Sequence, residues 1–577
     1  MSDRRYRIGV DIGGTFADFA VFDEVSGTLD TLKVFSRPDA PGQEVIEGLA
    51  QLRERYGLDP RDVVHFTHGT TVGVNAVIMR KGPRLALFTT EGFEDVLELA
   101  RLKIADPYNL LSRRPEPLVS RSDVYGIRQR MNAAGDVTVE LDEEGLAEAV
   151  RTAIAVGAES LIVAFLHSYR NPAHEQRARE IIAGVAPGTS VSLSSEIWPI
   201  LREYERTVTA TVNAYIQPRM SQYLTALQEG LHESGVGVDL KITKSNGGIM
   251  TADQAKQDCV QVVLSGTASG VIGAAHIASI CGIHDCLSLD VGGTSSDLAL
   301  IVDGKPRFDM GERIGDFQIF IPSVAVASIG QGGGSIAYVD EHGVLCVGPE
   351  SAGSLPGPVC YDRGGERPTI TDAFVANGWV GHAALGYGAM NINRDKAVDA
   401  LSRLAGQLGM GVNEVAQAII DVSVSKMYAG ASAVISRYGI DPEKFCLLGF
   451  GGAGPMLSCF LADALNIRHV LIPTTPGVLC AVGGLVSDMR NDFVRSVYCG
   501  LEAGSFDLVR EAWRELQSAG EAWIAEAGVP AGDAYYLVSA EMRYAGQAYE
   551  IDTPLKREWF EARDIDAITE GFHADHA

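Results

Sequence analysis

Over the first ninety residues, short apolar runs alternate with polar turns in a regular order. Residues 7–11, 17–22 and 32–36 are apolar and β-branched enough to predict three strands, with the polar run 23–27 as the turn between the last two. After Pro41-Gly42, the positions Val45, Ile46, Leu49 and Leu52 recur at helical spacing. Residues 63–66 predict a fourth strand, which runs into His68-Gly69-Thr70-Thr71. A helix through 74–79 and a strand over 85–89 follow. The order is βββαβαβ.

The pattern loosens between about 100 and 160. There Pro107, Pro115 and Pro117, with Arg101, Lys103, Arg113, Arg114, Arg121, Arg128 and Arg130, predict a surface insertion. A buried strand is expected at 161–167 and a long helix at 203–230, which Pro218 should restart as a first-turn residue. A strand at 240–244 and a turn at 245–248 follow. A strand at 287–290, a Gly-Gly-Thr turn and a return strand at 297–302 then repeat the opening arrangement. Strands at 445–450 and 469–473 close this part. From about 504 a helix over 508–525 and strands near 535–542 and 547–551 predict a small α+β unit.

Three glycine turns carry the candidate chemistry. Asp11-Ile12-Gly13-Gly14-Thr15 and Asp290-Val291-Gly292-Gly293-Thr294 each set a carboxylate, two glycines and a hydroxyl after a strand. Glycines let backbone N–H groups approach phosphate oxygens, and an aspartate can hold a divalent cation directly or through water. The third turn, Gly451-Gly452-Ala453-Gly454, runs into a helix, as expected at the adenosine end of a nucleotide. One such turn alone reads as a plain turn; three in this order favour ATP held between two related halves, with Asp11 and Asp290 on the metal side. Asp18 and Asp297 hold matching places in the return strands, where a metal-shell role and a solvent-facing role are equally open. The densest glycine run, Gly332-Gly333-Gly334, adds a further candidate loop. His68 is a candidate proton carrier, and Thr70 and Thr71 are candidate phosphate-side donors or caps for the following helix.

A chain of 577 residues exceeds a single core and should divide into several domains. The formal net charge of −26 argues against nucleic acid or an anionic membrane surface as partner. Apolar runs such as 161–166 fall short of a bilayer span, and no apolar leader follows Met1, so a cytoplasmic protein is expected. The nine cysteines form no metal-site spacing and read as reduced thiols. Cys480 reads as one of these buried thiols rather than a nucleophile.

Taken together, Val10-Asp-Ile-Gly-Gly-Thr-Phe, His68-Gly-Thr-Thr, Tyr204-Glu-Arg, Ser265-Gly-Thr-Ala-Ser-Gly, Asp290-Val-Gly-Gly-Thr-Ser-Ser-Asp, Gly332-Gly-Gly-Ser-Ile-Ala, Phe450-Gly-Gly-Ala-Gly-Pro and Arg543-Tyr-Ala-Gly-Gln resemble the hydantoinase A/5-oxoprolinase family over essentially the whole chain. The resemblance implies an α/β, actin-like ATPase fold with two related βββαβαβ halves and an insertion in the first. The corresponding domains are 1–200, 201–500 and a C-terminal 501–577 that is shorter than is usual in the family. ATP and Mg²⁺ are the implied cofactors, with K⁺ as a further candidate cation. The implied assembly is a hetero-oligomer with a hydantoinase B-type subunit, acting on a hydantoin, 5-oxoproline or another lactam. The implied reaction phosphorylates the amide carbonyl oxygen before water opens the ring; in carboxylase relatives the acceptor is bicarbonate or an enolate. A ketone carboxylase subunit is therefore an alternative, and a non-catalytic actin-like ATP switch is another. This chain departs from the family pattern at Leu457, Ala325, Ala327, Thr267 and Cys480, and Tyr204-Glu205-Arg206 is expected to make structural ion pairs.

Overall fold

A computed structural model describes residues 4–14, 16–37, 40–102, 104, 106–380 and 392–576. Its first sheet is built on Tyr6–Ile12, which pairs antiparallel with Phe16–Asp23 and parallel with Val63–Gly69. Leu29–Phe35 extends the sheet on one side, and Leu240–Thr243 with Ile249–Thr251 on the other. A second sheet repeats the plan. Cys286–Val291 pairs antiparallel with Ser296–Val302 and parallel with Cys446–Phe450, which pairs parallel with His469–Leu471. Val326–Ile329 adds to Ser296–Val302 as the third strand.

The strand expected at 85–89 forms, as Leu85–Thr90, but it leaves the first sheet. It sits with Val124–Ile127, Ser160–Ala164 and Ser190–Leu193 in a separate four-stranded parallel sheet. The fifth strand of the first sheet is therefore Leu240–Thr243, more than 150 residues further along, and the insertion is wider than the irregular stretch of 100–160. The physical reason lies on the sheet's faces. All six residues of Leu85–Thr90 are buried, as befits a central parallel strand covered by helices on both sides, and local pattern cannot say which sheet receives it.

A second correction concerns Pro218. Helix Glu203–Glu233 runs through it without restarting. Residues 205–216 are buried without a break, so tertiary packing outweighs the hydrogen bond that Pro218 cannot donate. Inside this helix Arg206 is 1% exposed and donates to Ser194 Oγ, the Phe165 carbonyl and the Ile200 carbonyl. Glu205 pairs instead with Arg101. Glu205 thus makes the ion pair expected of the Tyr204-Glu-Arg run, while Arg206 ties the long helix to the inserted sheet through neutral acceptors. Helix Val412–Tyr438 is long and apolar enough to cross a bilayer by composition, but Val415, Ile419, Ile420 and Met427 pack into the core beneath the second sheet.

Between the two sheets lie helices Ser265–Ile280 and Leu479–Val486, packed through small residues. A side chain on Gly483 would meet the Ser269 carbonyl at 1.8 Å, and one on Gly9 would meet the Ala481 carbonyl at 2.1 Å. Backbones this close leave no room for a Cβ, which is why the Ser265-Gly-Thr-Ala-Ser-Gly run is so poor in bulky residues. The packing sets the distance between the two glycine hairpins. At the C-terminal end, the hairpin Val538–Met542/Ile551–Leu555 packs with Phe506, Phe560 and Ile568 in a small core of its own.

Candidate active site

The first and second hairpins have the same local construction. Gly13 N–H donates to the Phe16 carbonyl at 2.9 Å, and Gly292 N–H to the Ser295 carbonyl at 3.0 Å. Asp11 pairs in register with Asp18, and Asp290 with Asp297. At Gly14 and Gly293 a Cβ would meet nothing within 4 Å, so both turn tips open onto free space. Thr294 is exposed and its hydroxyl lies 3.5 Å from Ser351 Oγ; Thr15 falls outside the described residues.

Each leading aspartate is set against glycine. A Cβ on Gly69 would come within 2.5 Å of Asp11 Oδ1, one on Gly266 within 2.9 Å, and one on Gly451 within 2.1 Å of Asp290 Oδ1. Gly69 lies across the sheet from Asp11, whereas Gly266 is in the first turn of the inter-sheet helix. Asp11 Oδ1 is buried with no hydrogen-bond partner among the described residues. Burial pushes both carboxyls up to about 7. For Asp11 the charge of Asp18 adds to burial and Lys33 opposes it; for Asp290 the charges of Asp297 and Asp11 add. The Cys480 thiol, itself held protonated by burial and by the Asp290 charge, donates to Asp290 Oδ2 at 3.6 Å.

Two carboxylates from opposite hairpins, one with an orphaned oxygen, form an electrostatically costly pair that a cation would relieve. Among the described residues no group of three or more His, Cys, Asp or Glu side chains is placed to hold a metal. Such a site fits Mg²⁺, which takes one or two carboxylates and completes its shell with water and phosphate oxygens. Asp18 and Asp297 already have partners. Lys33 Nζ lies 2.5 Å from Asp18 and donates to the Gly477 carbonyl at 2.7 Å, while Ser328 and Thr267 donate to Asp297 at 2.5 and 3.4 Å. These two aspartates hold the hairpins and the helix start in place.

The remaining glycine loops act mainly by supporting the second turn. Gly333 N–H donates to the Gly292 carbonyl and Gly334 N–H to the Gly293 carbonyl, at 2.9 and 2.7 Å. Gly332 N–H is taken by Ser335 Oγ, and a Cβ there would meet the Gly293 carbonyl carbon at 2.7 Å. All three amides are engaged inside the protein, so the candidate loop Gly332–Gly334 bears on the site here by shaping the second turn. Gly451, at φ +82°, donates to the Pro476 carbonyl, and Ala453 to the Val291 carbonyl. Gly452 faces open space and Gly454 begins helix Gly454–Leu465.

His68 does not join the site. In the parallel pairing it is level with Val10, and Gly69 with Asp11, so His68 and Asp11 project from opposite faces of the sheet. The ring is fully buried, with Nε2 2.7 Å from the Tyr223 hydroxyl, and burial depresses it to about 3. A neutral imidazole locked to a tyrosine is a core residue, which corrects its expected role as proton carrier. Thr70 Oγ1 accepts from Val72 N–H, the first of the helix, and Thr71 Oγ1 donates to the Ile12 carbonyl, so Thr70 serves the helix start and Thr71 braces the first turn. Sequence reasoning missed Lys33 and Gly266. Lys33 is opposite Asp18 in the predicted third strand, a signal that was available once the register was known.

Residues 7–185 match the model of the hydantoinase/oxoprolinase N-terminal region, and residues 206–493 match the hydantoinase/oxoprolinase model. Caprolactamase subunit alpha of Pseudomonas jessenii is 34% identical over all of this chain and 84% of its own length. The chain belongs to the hydantoinase/oxoprolinase family. A second relative in this family, the acetophenone carboxylase gamma subunit of Aromatoleum aromaticum, is 33% identical over 94% of this chain and 77% of its own. The crystal structure of the ATP-dependent caprolactamase from Pseudomonas jessenii superposes with TM-score 0.87 at 34% identity, covering 99% of this chain and 84% of that one. Nucleotide-free acetone carboxylase superposes with TM-score 0.80 at 27% identity, with the same coverage. Among this chain's departures from the family pattern, Leu457 is fully buried in the second core, and Cys480 is the thiol on Asp290.

Proposed function

We propose that this chain is the ATP-binding subunit of an ATP-dependent cyclic-amide hydrolase, working as an actin-like clamp within a hetero-oligomer. One observation carries the reading: Asp11 and Asp290, both half-buried, end matching strands of the two sheets and lead into matching Gly-Gly hairpins with free space at Gly14 and Gly293, and the charge of Asp11 adds to the raised Asp290 carboxyl. The caprolactamase and 5-oxoprolinase relatives give the direction of the chemistry.

The two aspartates would hold Mg²⁺, whose charge offsets theirs and that of the phosphates. Gly14 and Gly293 leave the turn tips free of side chains where phosphate oxygens approach. An amide carbonyl resists water because nitrogen donates into it. Transfer of the γ-phosphoryl group to the carbonyl oxygen breaks the bond to the β-phosphate bridging oxygen, and ADP leaves. Water then adds to the activated carbon and the ring C–N bond breaks. The nitrogen leaves as the amine with the proton and the carbon remains as an acyl phosphate, which a second water hydrolyses to carboxylate and phosphate. In such a reaction the protein contributes positioning and charge balance. Neutral His68 takes no part; Thr70 serves the helix start and Thr71 keeps the first turn in shape.

A ketone carboxylase is the second reading, favoured by the acetophenone carboxylase relative at 33% identity and the acetone carboxylase superposition. The deciding experiment measures ADP release by the purified chain with its hydantoinase B-type subunit and Mg·ATP. Stimulation by 5-oxoproline, a hydantoin or caprolactam supports the hydrolase. Stimulation only by a ketone with bicarbonate replaces it with the carboxylase.

A further inference from the structure

Arg363 belongs to the second half of the chain and lies against the first. Its loop is anchored by Asp372, fully buried in the first turn of helix Ile370–Ala376, which accepts from the Val359 and Cys360 N–H groups at 3.1 and 2.7 Å. The same helix start supports the second glycine turn. Thr371 donates its N–H and its hydroxyl to the Gly333 carbonyl, and Gly333 N–H donates to the Gly292 carbonyl. A Cβ on Gly365 would come within 2.4 Å of the Gly357 carbonyl, so the loop folds tightly back on itself around Arg363. From this anchor the guanidinium crosses to the first half, with Cζ 4.8 Å from the centroid of the Phe35 ring.

Phe35 is part of the support of the first turn. It is opposite Phe16 in register, with ring centroids 4.9 Å apart, and the Phe16 carbonyl accepts from Gly13 N–H. The next residue, Ser36, donates its hydroxyl to the Gly13 carbonyl at 2.8 Å. Arg363 thus joins the supports of both turns. A guanidinium seated over a ring is held by its face, which leaves the N–H donors in its plane for other acceptors. Arg363 is exposed and has no carboxylate at ion-pair distance among the described residues. The neighbouring Asp362 is taken by Lys396, and Lys33 of the Phe35 strand by Asp18. Mg·ATP is an anion, and Asp11 and Asp290 add to its negative charge, so a further cation is required where the two turns meet.

We propose that Arg363 is the cation that closes the clamp over the nucleotide's phosphates, an inference that rests on the ATP reading above. Held over Phe35, its guanidinium forks onto phosphate oxygens between the Gly14 and Gly293 tips. It recognises the polyphosphate and not the base.

The test is calorimetric titration of the full chain with Mg·ATP and, separately, with Mg·tripolyphosphate, at low and high salt. Arg363→Met keeps an apolar stem over Phe35 but removes the charge and the fork; Arg363→Lys keeps the charge alone. Arg363→Met should bind both probes about tenfold more weakly at low salt, with a shallower salt dependence than wild type, and should keep the wild-type unfolding temperature. Arg363→Lys should fall between the two. Unchanged affinity for both probes in Arg363→Met overturns the proposal. So does a loss that is equal at low and high salt and comes with a lowered unfolding temperature, which would make Arg363 a structural contact. If wild type binds Mg·tripolyphosphate through Arg363 but not Mg·ATP, the phosphate role stands and the ATP reading fails. Wild type that binds neither probe removes both.

Discussion

Replacing Asp290 by Asn should make the protein more stable at pH 8 while removing ATP turnover. In the folded chain, burial and the charges of Asp297 and Asp11 raise the Asp290 carboxyl from 3.8 to about 7. At about 1.4 kcal/mol per tenfold change in proton affinity, the ionised folded state is disfavoured by at most about 4 kcal/mol. Partial solvent contact and relaxation reduce this, and about 1–3 kcal/mol is the expected gain from Asn. The sign follows from proton binding. Below pH 4 the carboxyl is neutral in both folded and unfolded chains, so Asp and Asn should be equally stable. Between pH 4 and 7 the unfolded chain ionises first and wild-type stability falls; above 7 the full penalty is present. Thermal unfolding of wild type and Asp290→Asn at pH 4, 6 and 8 measures this, with a gain of about 1–3 °C expected at pH 8 and near zero at pH 4. Mg²⁺ should stabilise wild type at pH 8 and leave the variant unchanged. The Asp11→Asn/Asp290→Asn double variant should gain less than the sum of the singles, because the charge of Asp11 is part of what raises the Asp290 carboxyl. An Asp290→Asn variant less stable than wild type at pH 8, or a difference that does not change with pH, would refute the reasoning.

Other outcomes follow from the same contacts. Gly451→Ala forces a residue at φ +82° to carry a Cβ 2.1 Å from Asp290 Oδ1; it should lose about 2 kcal/mol or more in urea unfolding and lower ATP turnover at least tenfold. Tyr223→Phe removes the partner of His68 Nε2, so it should cost about 1 kcal/mol of stability yet leave the pH–rate profile in place, since His68 does not titrate during turnover. Arg206→Met removes a buried guanidinium that donates to Ser194 Oγ, the Phe165 carbonyl and the Ile200 carbonyl; a loss of about 3–5 kcal/mol is expected, read by thermal unfolding at pH 7.

Much of the candidate site was legible because its signals are local. A strand, a Gly-Gly turn and a return strand are contiguous in sequence, so both hairpins and their aspartates could be located without any long-range information. What failed depended on pairing. His68 sits in a correctly expected strand, but its face is fixed by register with Val10, and a single position separates the core side from the site side. Gly69, its neighbour, is the residue that faces Asp11. Leu85–Thr90 reads as a strand from its own residues, yet which sheet accepts it depends on Ser160–Ala164 and Val124–Ile127. The Gly332–Gly334 run announced a close backbone approach, and the approach found is to Gly292 and Gly293. Gly266 gave no separate signal, because its requirement comes from Asp11, over 250 residues earlier.

The central claim is that Asp11 and Asp290 jointly hold the metal of a bound nucleotide, and calorimetric titration of Mg·ATP into the isolated chain at pH 8 tests it most directly. Wild type should bind at least tenfold more tightly with Mg²⁺ than with EDTA present, and Asp11→Asn and Asp290→Asn should each abolish that difference. Retention of the full Mg²⁺ dependence in either variant would contradict the claim.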